Sequence, residues 1–192
     1  MSYIYKTGRA ELYDQIKRHA HVIHGRVLDV GAGSYPRYKS LFKFDEYLSM
    51  DIAPSKGVDV VGRIENIPFP AESFDAIVCT QVLGDVFDLS LAFQELHRVL
   101  KPNGVTLITE NLFDALHGEP HDYWRITGHS FRLLSEKAGL TVEVLEKRGG
   151  FHSLIAQLKA RYLIEKFSLN EKWYARLTSF LFKIWGKWSL AL

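Results

Sequence analysis

The sequence contains very little cysteine and no long apolar run. Cys79 is the only cysteine among 192 residues, which excludes an internal disulfide framework and a zinc site built from cysteines. Cys79 lies in the apolar run 76–79, so we expect a packed strand residue and not a nucleophile. No stretch of about 18 or more apolar residues occurs, so no membrane-spanning helix is predicted.

A strong charge of either sign is also absent. The formal net charge is +2, which does not by itself favour a nucleic-acid partner. Residues 1–20 are polar and rich in tyrosine, without the apolar core of a signal peptide. With 47% hydrophobic and 24% charged residues, the composition is typical of a globular domain. We therefore expect a cytoplasmic, single-domain protein.

Apolar periodicity predicts strands that alternate with helices over residues 1–150, the predicted main domain. Helices are predicted at 10–24, 88–100 and 127–138, the last ending at Gly139. Strands are predicted at 26–30, 46–50, 58–61, 74–79, 105–109 and 140–147. This alternation favours an α/β fold with a doubly wound, mostly parallel, Rossmann-like sheet. Residues 151–192 are helix-like, aromatic and basic, and we expect them to form a helical C-terminal extension of the same domain.

A glycine-containing turn follows the first predicted strand. Asp29 ends that strand, and Gly31 and Gly33 follow it. Glycines permit a tight turn and let a ligand approach the backbone, and ligands of open α/β sheets bind beyond such strand ends. A carboxylate there suits a ligand with an ammonium group and a sulfonium better than a pyrophosphate. The third glycine of the dinucleotide pattern is replaced by Pro36, which suits the first turn of a following helix and speaks against NAD or FAD.

Asp51 follows the second predicted strand, where Rossmann-like folds place an acidic residue on ribose hydroxyls. A single carboxylate can accept from both hydroxyls. Ile52 beside it offers an apolar face for adenine. The alternative for Asp51 is a turn aspartate before Pro54.

Five segments in order carry a family resemblance. They are VLDVGAG at 27–33, DI at 51–52, IPF at 67–69, SFDAIV at 73–78 and ELHRVLKPNG at 95–104. Together they resemble the small class I methyltransferases of the type 11 family. The resemblance implies a seven-stranded Rossmann-like fold and S-adenosylmethionine as cofactor.

The resemblance also implies roles for individual residues. Asp29 would hold the methionine ammonium, and residues 31–33 (Gly31, Ala32, Gly33) would form the turn around the methionine moiety. Asp51 would bind the ribose, and Thr80, Gln81 and Val82 would line the floor beneath the sulfonium.

The sequence departs from the family pattern at three places. Arg63 stands where the family usually has an aspartate near the adenine amino group, so either the Ile64 backbone and Glu65 cover adenine or the cofactor binds more weakly. Asp85 replaces the histidine of the common Leu-Glu-His element. The family's last antiparallel strand is not found, so either the chain stops short of it or a helix replaces it.

A polar, aromatic segment at 116–125 follows the fifth predicted strand and is the candidate acceptor site. His121 with Asp122 would make a general base, and Arg125 would hold an anionic group. Tyr123 and Trp124 would stack on a sugar or another ring. In the alternative interpretation this segment is an ordered loop in which Trp124 packs on the sheet edge and Arg125 satisfies carbonyls. The spacing of His117 and His121 hints at a metal, but no third ligand is evident and none is predicted.

The segment 121–127 is similar to methyltransferases of polysaccharide and glycolipid biosynthesis, which favours a saccharide or small-molecule hydroxyl as acceptor. The alternatives are a non-catalytic cofactor-binding module of the same fold and a methyltransferase acting on RNA or protein. In the C-terminal extension six apolar residues share one helical stripe, a pattern that suits packing on the domain, a homodimer contact or peripheral contact with a membrane. They are Leu177, Phe180, Leu181, Ile184, Trp185 and Trp188.

Overall fold

The computed structural model describes residues 7–116 and 118–168. It has two compact units. One comprises residues 19–145, and the other is formed by residues 1–18 together with 146–192, of which 7–18 and 146–168 are described. The predicted stripe at 177–188 and His117 lie outside the described residues.

The unit of residues 19–145 is built on a parallel sheet. Its strands are β1 (Arg26–Val30), β2 (Glu46–Asp51), β3 (Val60–Val61), β4 (Phe74–Thr80) and β5 (Leu100–Thr109). Their order across the sheet is β3-β2-β1-β4-β5, and every neighbouring pair is parallel. The strand order reverses between β1 and β4, and in open α/β sheets ligands bind beyond the carboxyl ends of the strands at such a point. The predicted α/β Rossmann-like fold is confirmed.

Two helices of this unit begin directly after a side chain that caps them. In α2 (Leu89–Val99) the Asp88 side chain accepts from Leu91 N, and in α3 (Gly128–Lys137) Thr127 accepts from Ser130 N. Gly139 follows α3 with a φ of +86°, a conformation that glycine adopts without strain. Phe93 of α2 contacts Phe131 of α3 edge-on, with ring centroids 5.4 Å apart, so the two helices pack on one another.

The two faces of the sheet differ in chemistry. Alternate strand residues, Leu28, Val30, Met50, Ile77 and Cys79 among them, form one apolar core with buried residues of α2. The residues between them point to the opposite face, which contains Asp29 and Ser49 on neighbouring strands. Cys79 is fully buried, and burial raises the pKa of its thiol, so it is the packed strand residue that its apolar context predicts.

The helix predicted to start near Pro36 is not formed. Residues 34–45 are turns and bends with a single 3-10 turn at Lys39–Leu41. Phe42 and Phe44 both pack on the Tyr47 ring, with centroids 6.5 and 5.1 Å away. Residues two positions apart share a side in extended chain but not in a helix, so this shared contact opposes helix formation.

The prediction of a strand at 140–147 is also wrong. These residues have no regular structure, and within the described residues the sheet has five strands instead of seven. Alternation predicts a strand only when one set of side chains is buried. Here Val144 is 61% exposed and Leu145 is 42% exposed, so the pattern does not correspond to a buried face.

The other unit contains α1 (Thr7–His19), except for its last residue, and α4 (Phe151–Lys166). Ser153 Oγ donates to Glu11 Oε1 at 3.0 Å, and Arg18 pairs with Glu146 at 3.0 Å. Helix α4 agrees with the helical character predicted for the start of the extension. Across the described ranges no helix is both long and apolar enough to cross a membrane.

Candidate functional site

The IPF segment at 67–69 is held by two side chains of the ELHR segment on α2. Glu95 Oε2 accepts from Ile67 N at 2.8 Å, and Arg98 donates to the carbonyls of Ile67 (2.9 Å) and Phe69 (2.8 Å). Arg98 also pairs with Glu95 at 2.6 Å and lowers the pKa of that carboxyl. The IPF and ELHR segments are therefore a structural clamp, which explains why both residue types are needed at that spacing.

The glycine turn joins the ends of β1 and β2. Gly31 N and Ala32 N both donate to Met50 O, at 2.8 and 3.1 Å. Gly31 and Gly33 have φ values of +71° and +63°. The reasons for the two glycines differ. A Cβ on Gly31 would lie 2.3 Å from Val82 Cγ2, whereas a Cβ on Gly33 would meet nothing within 4 Å.

Asp51 closes this turn. Its Oδ2 accepts from Gly33 N at 2.8 Å and its Oδ1 from Ala53 N at 3.3 Å. A carboxylate has about four acceptor positions, so both oxygens keep capacity for the two hydroxyls of a ribose. Ile52 is 61% exposed, which leaves its side chain available to an apolar ring.

Asp29 is buried and already has a hydrogen-bond donor. Tyr47 OH donates to Asp29 Oδ2 at 2.7 Å, and the two residues are 7% and 5% exposed. Burial raises the pKa of Asp29 to about 6, although the Tyr47 hydrogen bond lowers it. The pKa of Tyr47 is raised by burial and by the Asp29 charge beside it. The carboxylate therefore lies in a poorly hydrated place, where a cationic ligand would compensate its charge.

The predicted floor residues lie at the end of β4 and directly after it. Gln81 has a φ of +60°, a left-handed conformation that non-glycine residues rarely adopt. The conformation is held from β5, because Gln81 N donates to Thr109 O at 2.8 Å and Gln81 Nε2 to Thr109 Oγ1 at 3.2 Å. Thr80 pairs with Thr109 in the sheet register, so Thr80 and Gln81 occupy the carboxyl edge next to β1.

At the predicted adenine end the side chains have other partners. Ile64 is 5% exposed and packs in the core, so only its backbone is left to contact a ligand. Glu65 Oε1 pairs with Arg63 at 3.1 Å. Arg63, which replaces the usual aspartate, thus neutralises Glu65, the acidic residue predicted to cover adenine.

The candidate acceptor segment is anchored to the same edge through Gly84. Gly84 O accepts from Tyr123 N (2.8 Å) and Trp124 N (3.0 Å), while Gly84 N donates to Glu110 Oε2 at 3.0 Å. Glu110 directly follows β5, and burial raises its pKa. Trp124 Nε1 donates to Val86 O at 2.8 Å, which agrees with the structural alternative for this tryptophan.

The structure pairs the predicted catalytic residues differently from the sequence. Asp122, whose side chain is 1% exposed, accepts hydrogen bonds from both terminal nitrogens of Arg125, at 2.6 and 2.9 Å. Arg125 also donates to the carbonyls of Asp114, Ala115 and Trp124. Four of the five guanidinium hydrogens are thereby used, so Arg125 fastens the loop and is poorly placed to hold an anionic group.

His121 does not pair with Asp122. Its Nδ1 lies 3.0 Å from Tyr123 OH, and the Tyr123 ring contacts Phe87 edge-on at 5.7 Å. His121 and Phe87 are exposed and Tyr123 is 42% exposed, so the three rings form an accessible aromatic rim. In the part of the chain that the structure describes, no group of three or more potential metal ligands is present.

Two residues of the site were not identified from the sequence: Tyr47 and Glu110. Tyr47 had a usable signal, since it lies two positions before Ser49, which pairs with Asp29, and therefore shares the Asp29 face. Glu110 had none, because its contact with Gly84 joins residues far apart in the chain.

Comparison with known proteins agrees with the fold. Residues 28–108 match the type 11 family model described as "Methyltransferase domain". The uncharacterised methyltransferase YcgJ of Bacillus subtilis (strain 168) is 33% identical over 102 residues, which cover 45% of this chain and 40% of YcgJ. The ubiquinone/menaquinone biosynthesis C-methyltransferase UbiE of Enterobacter sp. (strain 638) is 34% identical over 73 residues, covering 34% of this chain and 29% of UbiE.

A solved structure from Bacillus halodurans C-125, provisionally named a methyltransferase, superposes with a TM-score of 0.59. The identity is 18%, and the superposition covers 70% of this chain and 71% of the other. The matched part spans less than half the length of the two curated relatives. The family match contains Asp29, Asp51 and Gln81 but ends before His121.

The fold and the turn at its topological switch point define a class I methyltransferase fold. Residues 28–108 are similar to the type 11 methyltransferase family, whose model they match.

Proposed function

We propose that this protein transfers the methyl group of S-adenosylmethionine to a hydroxyl of a saccharide or another small molecule. The observation that carries the cofactor assignment is the turn in which Asp51 is fixed by Gly33 N while Gly33 faces open space. Open space and a left-handed φ together explain a glycine that no protein contact requires. The family match over these residues supports the same assignment.

The residues present fit the cofactor's functional groups. The buried Asp29 carboxylate matches the ammonium, the Asp51 oxygens match the ribose hydroxyls, and the exposed Ile52 side chain matches adenine. The cofactor would supply an activated methyl group on a sulfonium. The protein then mainly has to align the acceptor atom with that methyl group and exclude water.

For the acceptor, the aromatic rim of Phe87, His121 and Tyr123 supports a ring-shaped substrate. Gly84 anchors the rim to the carboxyl edge of the sheet where the cofactor residues lie. His121 Nδ1 is oriented by Tyr123 OH, and among the described residues its other ring nitrogen has no partner. That nitrogen would accept the proton of an attacking hydroxyl, a role for which histidine is suited.

The cofactor assignment is tested by calorimetric titration with S-adenosylmethionine and S-adenosylhomocysteine. We expect both to bind, and we expect Asp51→Asn to weaken binding about tenfold or more because hydrogen bonds to a charged acceptor are lost. Asp45→Asn is the matched control, since Asp45 precedes β2 at the opposite end of the same strand. Absence of binding to the wild-type protein would refute the proposal, and equal loss in both variants would show a charge effect without a ribose contact.

The acceptor is tested by transfer of radiolabelled methyl groups to separate pools of sugars, glycolipids, RNA and protein. We expect label in the sugar or glycolipid pool and at least a tenfold loss in His121→Ala without loss of cofactor affinity. Label in RNA or protein would overturn the acceptor class. Cofactor binding without transfer to any pool would identify a non-catalytic module of the same fold.

A further inference from the structure

The Asp29–Tyr47 pair is the most deeply buried polar contact at the cofactor edge of the sheet. Both side chains point to the face opposite α2, and the 2.7 Å bond joins neighbouring strands. The Tyr47 ring is itself fixed by Phe42, by Phe44 and by Lys39, whose Nζ lies 4.8 Å from its centroid. The hydroxyl is therefore held in one place, independently of any ligand.

We propose that Tyr47 is a positioning residue for the cofactor: its hydroxyl keeps the Asp29 carboxylate ionised and oriented so that Oδ1 faces the ammonium group of the methionine moiety. This inference rests on the proposed function and concerns one contact within it. An O–H donor stabilises a carboxylate anion and restricts its rotation, and both effects favour a cationic ligand.

The charges that act on Asp29 make this role measurable. Burial raises the pKa of Asp29 to about 6, the Tyr47 hydrogen bond lowers it, the nearby Asp51 raises it and Lys39 lowers it. About half of the empty sites therefore hold a neutral Asp29 at pH 6. Ammonium binding should weaken as the pH falls through this region, because a neutral carboxyl must first release its proton.

Tyr47→Phe removes the hydroxyl and keeps the ring. A hydrogen bond to a charged group corresponds to at least about one pH unit in the ionisation midpoint of its acceptor. With that shift, S-adenosylhomocysteine should bind the variant about fivefold more weakly than the wild type at pH 6 and about twofold more weakly at pH 7. Tyr162→Phe is the matched control, since Tyr162 is 57% exposed on α4.

The decisive experiment measures the Kd of S-adenosylhomocysteine between pH 5.5 and 7.5 for the wild type and both variants. The comparison ligand is 5′-methylthioadenosine, which lacks the amino-acid end and should bind all three proteins alike at every pH. An upward shift of the pH midpoint in Tyr47→Phe alone, seen only with S-adenosylhomocysteine, supports the proposal. Identical pH profiles for the wild type and Tyr47→Phe overturn it while leaving the proposed function intact, and no binding to the wild type overturns both.

A second measurement serves if Tyr47→Phe does not fold. In wild-type protein labelled with ¹³C at tyrosine Cζ, one tyrosine signal should move with the same pH midpoint as the Kd. Asp29→Asn should abolish that movement. A set of tyrosine signals that do not respond to pH in this range would contradict the inference.

Discussion

The contrast between Gly31 and Gly33 provides the sharpest test of the site geometry. Alanine at either position must adopt a φ above +60°, which costs about 1–2 kcal/mol. At Gly31 the new methyl group would also lie 2.3 Å from Val82 Cγ2, and overpacking of this kind costs a further 1–3 kcal/mol or so. We therefore expect Gly31→Ala to lose about 2–5 kcal/mol of unfolding free energy and Gly33→Ala only about 1–2 kcal/mol.

The two substitutions should affect cofactor affinity for a different reason from the one that governs their effect on stability. A methyl group on Gly33 projects into the open space assigned to the cofactor, so Gly33→Ala should weaken S-adenosylhomocysteine binding more than its small stability loss implies. Urea denaturation gives the free energies of unfolding, and calorimetry gives the affinities. Val82→Ala should restore part of the stability of Gly31→Ala in a double-mutant cycle. Equal stability losses at the two glycines, or unchanged affinity in Gly33→Ala, would refute the reasoning.

Three further predictions concern charges. Asp29→Asn should increase the free energy of unfolding above pH 7 by about 1–3 kcal/mol. The reason is that the raised pKa of Asp29 makes the folded protein lose stability as the pH rises from about 4 through 6. Denaturation curves at pH 5 and 8 that show no difference between the wild type and the variant would contradict this. Asp75, whose pKa is lowered by Lys101 and by Arg26 N, stabilises the fold above about pH 3.9 and stops doing so as the pH falls through its folded pKa, so Asp75→Asn should be less stable at pH 7 and show a shallower acid transition by circular dichroism. Arg125→Met should lower the free energy of unfolding by about 1–3 kcal/mol, because it leaves the buried Asp122 carboxylate without its guanidinium. It should also speed hydrogen exchange at 114–125, whereas exchange would not change if Arg125 only held an anionic group of the substrate.

Much of the turn after β1 and of its surroundings could be predicted because the sequence signals are local. A strand, a glycine turn and an acidic residue lie close together in the chain. The helix starts are also local, because Asp88 and Thr127 each accept from an amide of the helix that follows them. The predicted strands β1 and β4 and the helices α2 and α3 agree with the structure within one or two residues. Apolar periodicity is reliable there because one side of each element is buried in the same core.

The errors arose where a local pattern had no matching partner. Residues 140–147 alternate like a strand, yet Val144 and Leu145 are exposed. Pro36 suits the start of a helix, but the shared packing of Phe42 and Phe44 on Tyr47 keeps the chain irregular. In both cases contacts outside the segment decided the structure.

By itself the sequence determined the class of fold, the turn between β1 and β2, and the acidic residues at its edge, because each depends on neighbours in the chain and on glycine's backbone freedom. Only the tertiary structure decided which partner each charged or polar side chain takes. In the structure Asp29 pairs with Tyr47, Asp122 with Arg125 and His121 with Tyr123. A carboxylate chooses among several possible donors by distance and burial, and these are set when strands and loops remote in the chain come together.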